Sequence, residues 1–158
     1  RKPLRIVYFG REGGQKLIGD AIAYVATARS SGLNITLEVY GYSCLSINES
    51  DRSFVKCMGR TNKPLKALQG ADALMLVSAY EGFPTVMMEA ASLGIPIFCN
   101  EFSTGLLDFE EHVGPVNKLE RTRRDALGYA MRNQEIGDYD LSEFHAEKLL
   151  ASWVDVLV

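Results

Sequence analysis

Short apolar runs alternate along the chain with amphipathic segments, and this alternation predicts strands that take turns with helices. An apolar run of about four to eight residues, bounded by turn residues, is typical of a strand that is buried on both faces of a sheet. The predicted strands are residues 4–9, 33–40, 54–58, 73–77 and 95–99, with 113–116 as a sixth candidate.

Helices are predicted where apolar residues recur at helical spacing. The first follows a glycine-rich turn at residues 10–14, and Gly32 is a suitable stop for it. Pro84 is expected in the first turn of a nearly apolar helix. The remaining helices are predicted at 64–69, 84–93, 117–133 and about 140–157, and the polar stretch 43–52 is predicted to be a loop.

Alternating strands and helices predict an α/β fold, a Rossmann-like doubly wound parallel sheet with helices on both faces. In such sheets a ligand binds beyond the carboxyl ends of the strands, near the point where the strand order reverses. We expect four turns to meet at that edge: 10–11, 58–60, 80–82 and 100–105.

Composition is that of an ordinary globular domain. The chain has 158 residues, 47% hydrophobic and 23% charged, which suits one domain. A net charge of -3 gives no general attraction to nucleic acid, and no apolar run approaches the ~20 residues of a membrane span. Three cysteines, Cys44, Cys57 and Cys99, are expected to be free thiols in a reducing cytosol.

Two carboxylates stand out because of where they lie. Glu81 follows the predicted strand 73–77, and Glu89 lies within the nearly apolar helix 84–93. A buried carboxylate is costly unless something pairs with it. One polar ligand could satisfy both; alternatively, Glu81 complements the dipole of the helix that follows, and Glu89 forms an internal ion pair, for example with Arg11 or Lys16.

The segment from Ser78 to Ala91, with Gly-Phe-Pro between Glu81 and Glu89, resembles the Glu-(seven)-Glu signature of the retaining GT-B glycosyltransferases called group one. The resemblance extends from Gly10 to about Trp153. It implies that residues 1–158 are the nucleotide-sugar-binding half of a GT-B fold, with the last helix at about 140–157, and that the amino-terminal acceptor domain is absent. We also expect a longer parent protein because the chain starts at Arg1 without methionine.

The resemblance also implies roles for individual residues. Glu81 would be the catalytic carboxylate that contacts the transferred sugar, and Glu89 would bind the ribose hydroxyls. The donor diphosphate would be bound by two cations and by amides at a helix start, namely Arg11, Lys16, Phe83, Thr85 and Val86. Weaker expectations near the base and the sugar are Arg60, Gly82 and Gly105. For the two cations, the alternative is a pair of solvated surface charges.

The implied reaction is transfer of a hexose-type unit, with retention, from a nucleotide diphosphate sugar to a saccharide or lipid-linked acceptor in polysaccharide biosynthesis. No cofactor and no metal are implied. The expected location is cytoplasmic, at the inner face of the membrane where the acceptor is lipid-linked. The basic residues 118–124 are expected to be a solvated face, with attraction to anionic lipid as the alternative.

Two other classes of function remain open. A sugar-nucleotide epimerase or hydrolase on the same fold would bind the donor without an acceptor, and product analysis separates it from a transferase. A non-catalytic nucleotide-binding or interaction module is the second class, since a fold alone does not fix a function. In that case Glu81→Ala and Glu89→Ala would change only stability.

Overall fold

The computed structural model describes residues 2–11, 13, 16–43, 45, 47–80, 82, 84–101, 104–120, 122–123, 125–133 and 139–141. Its strands are β1 Leu4–Phe9, β2 Ile35–Tyr40, β3 Val55–Gly59, β4 Ala73–Leu76, β5 Ile97–Cys99 and β6 Asn117–Lys118. Its helices are α1 Ile18–Ser30, α2 Pro64–Leu68, α3 Thr85–Ser92, α4 Thr104–His112 and α5 Ala126–Arg132, with a 3-10 helix at Glu49–Ser53.

The strands form one parallel sheet in the order β3-β2-β1-β4-β5-β6. This is the doubly wound order of dinucleotide-binding folds, so the predicted fold class is confirmed. The chain winds outward in one direction from β1 to β3 and then returns to the other side of β1 with β4. The order therefore reverses between β1 and β4, and the crevice expected for a ligand lies beyond the ends of these two strands.

Both faces of the sheet are covered because alternate residues of each central strand point to opposite sides. In β1, Ile6 and Tyr8 belong to a core with α1 and α5, whereas Val7 belongs to a second core with α2, α3 and α4. The same alternation separates Met75 from Leu74 in β4. All of these side chains are 0% exposed, which makes the centre of the sheet a rigid support for the turns at its edge.

The second half of the chain departs from the predicted elements. The sixth strand is Asn117–Lys118 rather than 113–116, and the helix expected at 117–133 begins only at Ala126. Residues 100–105, expected to be a turn, run into α4, which was not predicted. Pro84 immediately precedes α3 instead of occupying its first turn. The last predicted helix lies outside the described residues, apart from Asp140 and Leu141, which are not helical.

Arg5 ties three elements together at the end of the sheet opposite to the expected crevice. Its Nε donates to Glu38 Oε2 at 2.8 Å, linking β1 to β2. Its two terminal nitrogens donate to the carbonyl oxygens of Ala67 at 2.6 Å and Gln69 at 3.0 Å, at the end of α2. The hydrogen bond to Glu38 is the main reason that the pKa of Arg5 is raised.

The cysteines differ from what composition suggested. Cys57 is in a disulfide, so the expectation of three free thiols is wrong; Cys99 is free and buried, and burial raises the pKa of its thiol to about 12. Within the described ranges, no helix has the length and apolar character needed to cross a membrane.

Candidate functional site

A cavity of about 460 Å³ opens at the carboxyl edge of the sheet, where the strand order reverses. Three of the residues that line it are cationic, namely Arg11, Lys16 and Arg60. Its remaining lining combines strand ends, turns and one residue of α3, namely Phe9, Gly10, Tyr40, Gly41, Thr61 and Val86. A second cavity of about 410 Å³ shares Arg11, Gly41 and Arg60 with the first, so the two are neighbouring parts of one cleft.

Glycines allow the turns after β1 and β2 to approach each other at this cleft. The amide of Gly10 donates to the carbonyl of Tyr40 at 3.0 Å, and the amide of Gly41 donates to that of Gly59 at 2.8 Å. Gly41 has a φ of +90° and packs directly on the backbone of Gly10, where a Cβ would overlap the Gly10 carbonyl oxygen. Only glycine fits there, since it lacks a Cβ and tolerates positive φ.

The lining of the cleft includes an aromatic pair. Phe9 and Tyr40 are the last residues of β1 and β2 and are direct partners in the strand register. Their rings stack with centroids 5.2 Å apart and an interplanar angle of 25°. Both rings are half-buried, so they give the cleft a rigid apolar surface beside its cations.

Lys16 is fixed against the loop that follows β4. Its Nζ donates to Ser78 Oγ at 3.3 Å, and its backbone forms an isolated antiparallel bridge with Ser78. The next amide, that of Leu17, donates to the Val77 carbonyl at 3.1 Å. The hydroxyl of Tyr42 donates to the Lys16 carbonyl at 3.4 Å. The backbone of Lys16 is therefore held between residues that follow β2 and residues that follow β4, and its ammonium group contacts Ser78.

Glu89 lies on α3 one turn after Val86, which lines the cleft. The Glu89 side chain is half-buried, and desolvation raises the pKa of its carboxyl. The alternative for Glu89, an ion pair with Arg11 or Lys16, is not among the ion pairs found within the described part of the chain.

The predicted site residues are only partly brought together. Arg11, Lys16, Arg60 and Val86 line the same cleft, while their roles in binding stay predictions. Thr85 and Gly82 are exposed and lie next to it along the chain, whereas Gly105 is buried in the first turn of α4 rather than in the expected turn. Glu81 and Phe83 lie outside the described residues.

Sequence reasoning missed several residues of the site. Phe9, Tyr40 and Thr61 line the cleft without having been singled out. Each of the two aromatic residues ends a strand and precedes a glycine, and that placement at the carboxyl edge was a usable signal. Asn100 was also missed, although it is a polar residue that directly follows a buried strand; it is only 3% exposed.

Where the structure describes the basic face near β6, its cations make local contacts. Lys118 forms ion pairs with Glu110 at 3.3 Å and with Glu101 at 3.9 Å. The Arg123 guanidinium lies 3.4 Å from the centroid of the Tyr129 ring. Arg121 and Arg124 lie outside the described residues. Among the described residues, no three His, Cys, Asp or Glu side chains come together as a metal-binding group.

Comparison with known proteins identifies the family. The model of the family described as glycosyl transferases group 1 matches residues 2–117, most of the chain. Comparison with curated protein sequences found no match.

Solved structures of glycosyltransferases have the same fold. The GtfA/B complex superimposes with a TM-score of 0.75 at 18% identity, over 99% of this chain and 36% of that one. The lipopolysaccharide outer core galactosyltransferase WaaB in its apo form is 29% identical, with a TM-score of 0.56 over 68% of this chain and 33% of that one. The pneumococcal O-GlcNAc transferase GtfA, in complex with UDP and GlcNAc, has a TM-score of 0.67 at 16% identity, over 86% of this chain and 30% of that one. The chain thus spans about a third of each of these proteins.

Proposed function

Because this chain belongs to the group 1 glycosyl transferase family, we propose that its cleft binds a nucleotide diphosphate sugar. Together with an acceptor domain, it would transfer the sugar, with retention, to a saccharide or lipid-linked acceptor. The observation that supports this most is the convergence of Arg11, Lys16 and Arg60 on one cavity at the switch between β1 and β4. Three cations beside an aromatic pair in one cleft suit a ligand that combines phosphates with a planar base.

The leaving diphosphate would lie between Arg11, Lys16 and the start of α3. A helix start favours an anion because its first amides point outward without partners within the helix. In α3 these amides are those of Thr85 and Val86, and Phe83 is proposed to add a third. The two cations would neutralise the negative charge that grows on the diphosphate as the bond to the sugar breaks.

Glu89 is proposed to accept hydrogen bonds from the ribose hydroxyls, which would compensate for the desolvation of its carboxylate. Glu81 is proposed to stabilise the positive charge of the sugar ring as the leaving group departs. Arg60, Thr61 and the Phe9–Tyr40 pair would contact the base. Gly82 and Gly105 remain weaker proposals for the vicinity of the sugar.

The acceptor and the location follow from the proposed reaction. A galactosyltransferase of lipopolysaccharide and a transferase bound to UDP and GlcNAc are among the similar structures, which supports a UDP-type donor and an acceptor in polysaccharide biosynthesis. A lipid-linked acceptor would place the protein at the cytoplasmic face of a membrane.

Thermal unfolding with a panel of UDP, GDP, ADP, CDP and dTDP tests the proposal directly. A ligand present at about 100 times its Kd should add ~2.7 kcal/mol to the free energy of unfolding. One base should stabilise the chain, and Lys16→Met should reduce the stabilisation, since it removes a cation from the cleft. Lys2→Met is the matched control because Lys2 is exposed before β1, at the opposite edge of the sheet. A panel without any stabilising nucleotide would contradict the proposal.

Product analysis of the natural protein then separates the classes of reaction. Transfer predicts a glycosylated acceptor and a nucleoside diphosphate. Free sugar in place of a glycosylated acceptor would indicate a hydrolase, and a new sugar nucleotide would indicate an epimerase.

A further inference from the structure

Asn100 joins the ends of β4 and β5 at the carboxyl edge of the sheet. It directly follows β5 and is 3% exposed. Its Oδ1 accepts the amide of Ser78 at 2.9 Å, and its Nδ2 donates to the carbonyl of Ser78 at 2.8 Å and to that of Glu101 at 3.2 Å. A carboxamide has an acceptor beside a donor, so it can pair with both backbone groups of one residue as a neighbouring strand does.

Ser78 in turn contacts Lys16. The Ser78 hydroxyl accepts the Lys16 ammonium at 3.3 Å, and the two backbones form a bridge. The path from β5 to the cleft therefore runs through a single residue, from the Asn100 carboxamide to Ser78 and from Ser78 to Lys16. Ser78 is itself fully buried, which leaves its backbone little freedom to move while the carboxamide is in place.

We propose that Asn100 is a positioning residue of the donor site: by fixing Ser78, it holds the Lys16 ammonium where a diphosphate binds. The inference depends on the proposed function only for the role of Lys16. Asparagine suits the position because both of its polar groups are used. Aspartate would keep the shape of the side chain but could not donate to the Ser78 carbonyl. It would also add a negative charge next to Ser78, the residue that contacts Lys16.

The first test needs no nucleotide. In the 158-residue chain, NMR of the lysine ammonium groups should show that Asn100→Asp shifts the Lys16 signal and leaves Lys2 unchanged. Asn133→Asp is the matched control, because Asn133 is exposed at the end of α5. An unchanged Lys16 signal would overturn the inference, whether or not the chain binds nucleotide.

The second test measures binding of UDP and of uridine, which differ only in the diphosphate. Asn100→Asp should weaken UDP on the order of tenfold and leave uridine unchanged, and the effect should disappear in a Lys16→Met background. A purely structural role would weaken both ligands alike, or add to the effect of Lys16→Met, and would overturn the inference. If wild type binds neither ligand and no nucleotide of the panel, the proposed function fails, and the donor-site role of Asn100 fails with it.

Ser78→Ala covers the case in which Asn100→Asp does not fold. This variant keeps both backbone hydrogen bonds to Asn100 and removes only the hydroxyl next to Lys16. It should weaken UDP about threefold without affecting uridine, and Ser30→Ala on the exposed side of α1 is its control. Unchanged UDP affinity in Ser78→Ala would contradict the proposed path to Lys16.

Discussion

Glu89 has a carboxyl that the fold destabilises in its charged form. Burial on α3 raises its pKa, and the ion pairs within the described part of the chain do not include Glu89. Groups that destabilise the free protein are common where a ligand is needed to satisfy them. This combination favours a binding role for Glu89 over a structural one.

Replacement of Glu89 by glutamine should separate stability from binding. A carboxyl whose pKa is raised on folding contributes stability that is fully present below its unfolded pKa and is lost as the pH rises through the folded pKa. At pH 7, Glu89→Gln should therefore be at least as stable as wild type, by up to about 0.5 kcal/mol, and the difference should vanish in acid. Nucleotide affinity should fall about tenfold or more.

Urea unfolding at neutral and acidic pH measures the first effect, and calorimetric titration measures the second. Glu111→Gln is a suitable control, since Glu111 is exposed on α4. Lower stability of Glu89→Gln at pH 7 would show that Glu89 has a stabilising partner in the free protein.

Gly41 should be intolerant of alanine for two separable reasons. Its φ of +90° is strained for any residue with a Cβ, and that Cβ would also overlap the Gly10 carbonyl oxygen. Gly32→Ala provides the matched control, because Gly32 has a φ of +95° with no neighbour within 4 Å of the added atom. Urea unfolding should show a loss of ~1–2 kcal/mol for Gly32→Ala from strain alone and a larger loss for Gly41→Ala. Equal losses would mean that the turns after β1 and β2 separate easily.

The packing of β1 against β2 and α2 depends on the planar fork of Arg5. Arg5→Met should lower the free energy of unfolding by about 2–3 kcal/mol, because a half-buried Glu38 and two carbonyl groups lose their donor. Arg5→Lys should recover only part of this, since an ammonium cannot reproduce the fork. Nucleotide affinity should stay unchanged in both variants, and a loss of affinity would indicate that the two edges of the sheet are coupled.

Sequence patterns identified the elements well where an apolar run was bounded by turn residues. Strands β1 to β5 were placed within two residues because each is a mainly apolar run that ends near a glycine or a polar turn. α4 was missed because the polar residues 100–104 before it suggested a turn. Leu106, Phe109 and Val113 do have helical spacing, and all three are buried. β6 could not be recognised, since it has only two polar residues at the edge of the sheet.

The candidate site was predictable to the extent that topology determines it. Parallel order brings the carboxyl ends of the strands together, and this brought Arg11, Lys16, Arg60 and Val86 to one cleft. The contact of Asn100 with Ser78 was not predictable, because it depends on the register between β4 and β5. The roles of Glu81 and Glu89 stay predictions.

At the scale of the whole molecule, binding and turnover should separate. The chain covers about a third of the solved glycosyltransferases that it resembles, so a site that closes between two domains would be incomplete in it. We expect this chain to bind the nucleotide selected by the panel but to transfer sugar at least ~100-fold more slowly than a natural protein that adds an acceptor domain. Equal turnover per mole, measured by release of nucleoside diphosphate with acceptor present, would contradict the two-domain proposal.

The position of β4 beside β1 also bears on the synthesis of the chain. β2 can pair with β1 as soon as it emerges from the ribosome, but the other edge of β1 must wait for β4. The hydrogen bond from the Arg5 amide to Asp72, just before β4, joins residues that are 67 positions apart in the sequence. Until then, the apolar residues Ile6, Val7 and Tyr8 lie on an open edge, which can pair with other chains. Truncated chains that end before residue 73 should therefore aggregate, and chaperone demand should be greatest between the emergence of β2 from the ribosome and the emergence of β4.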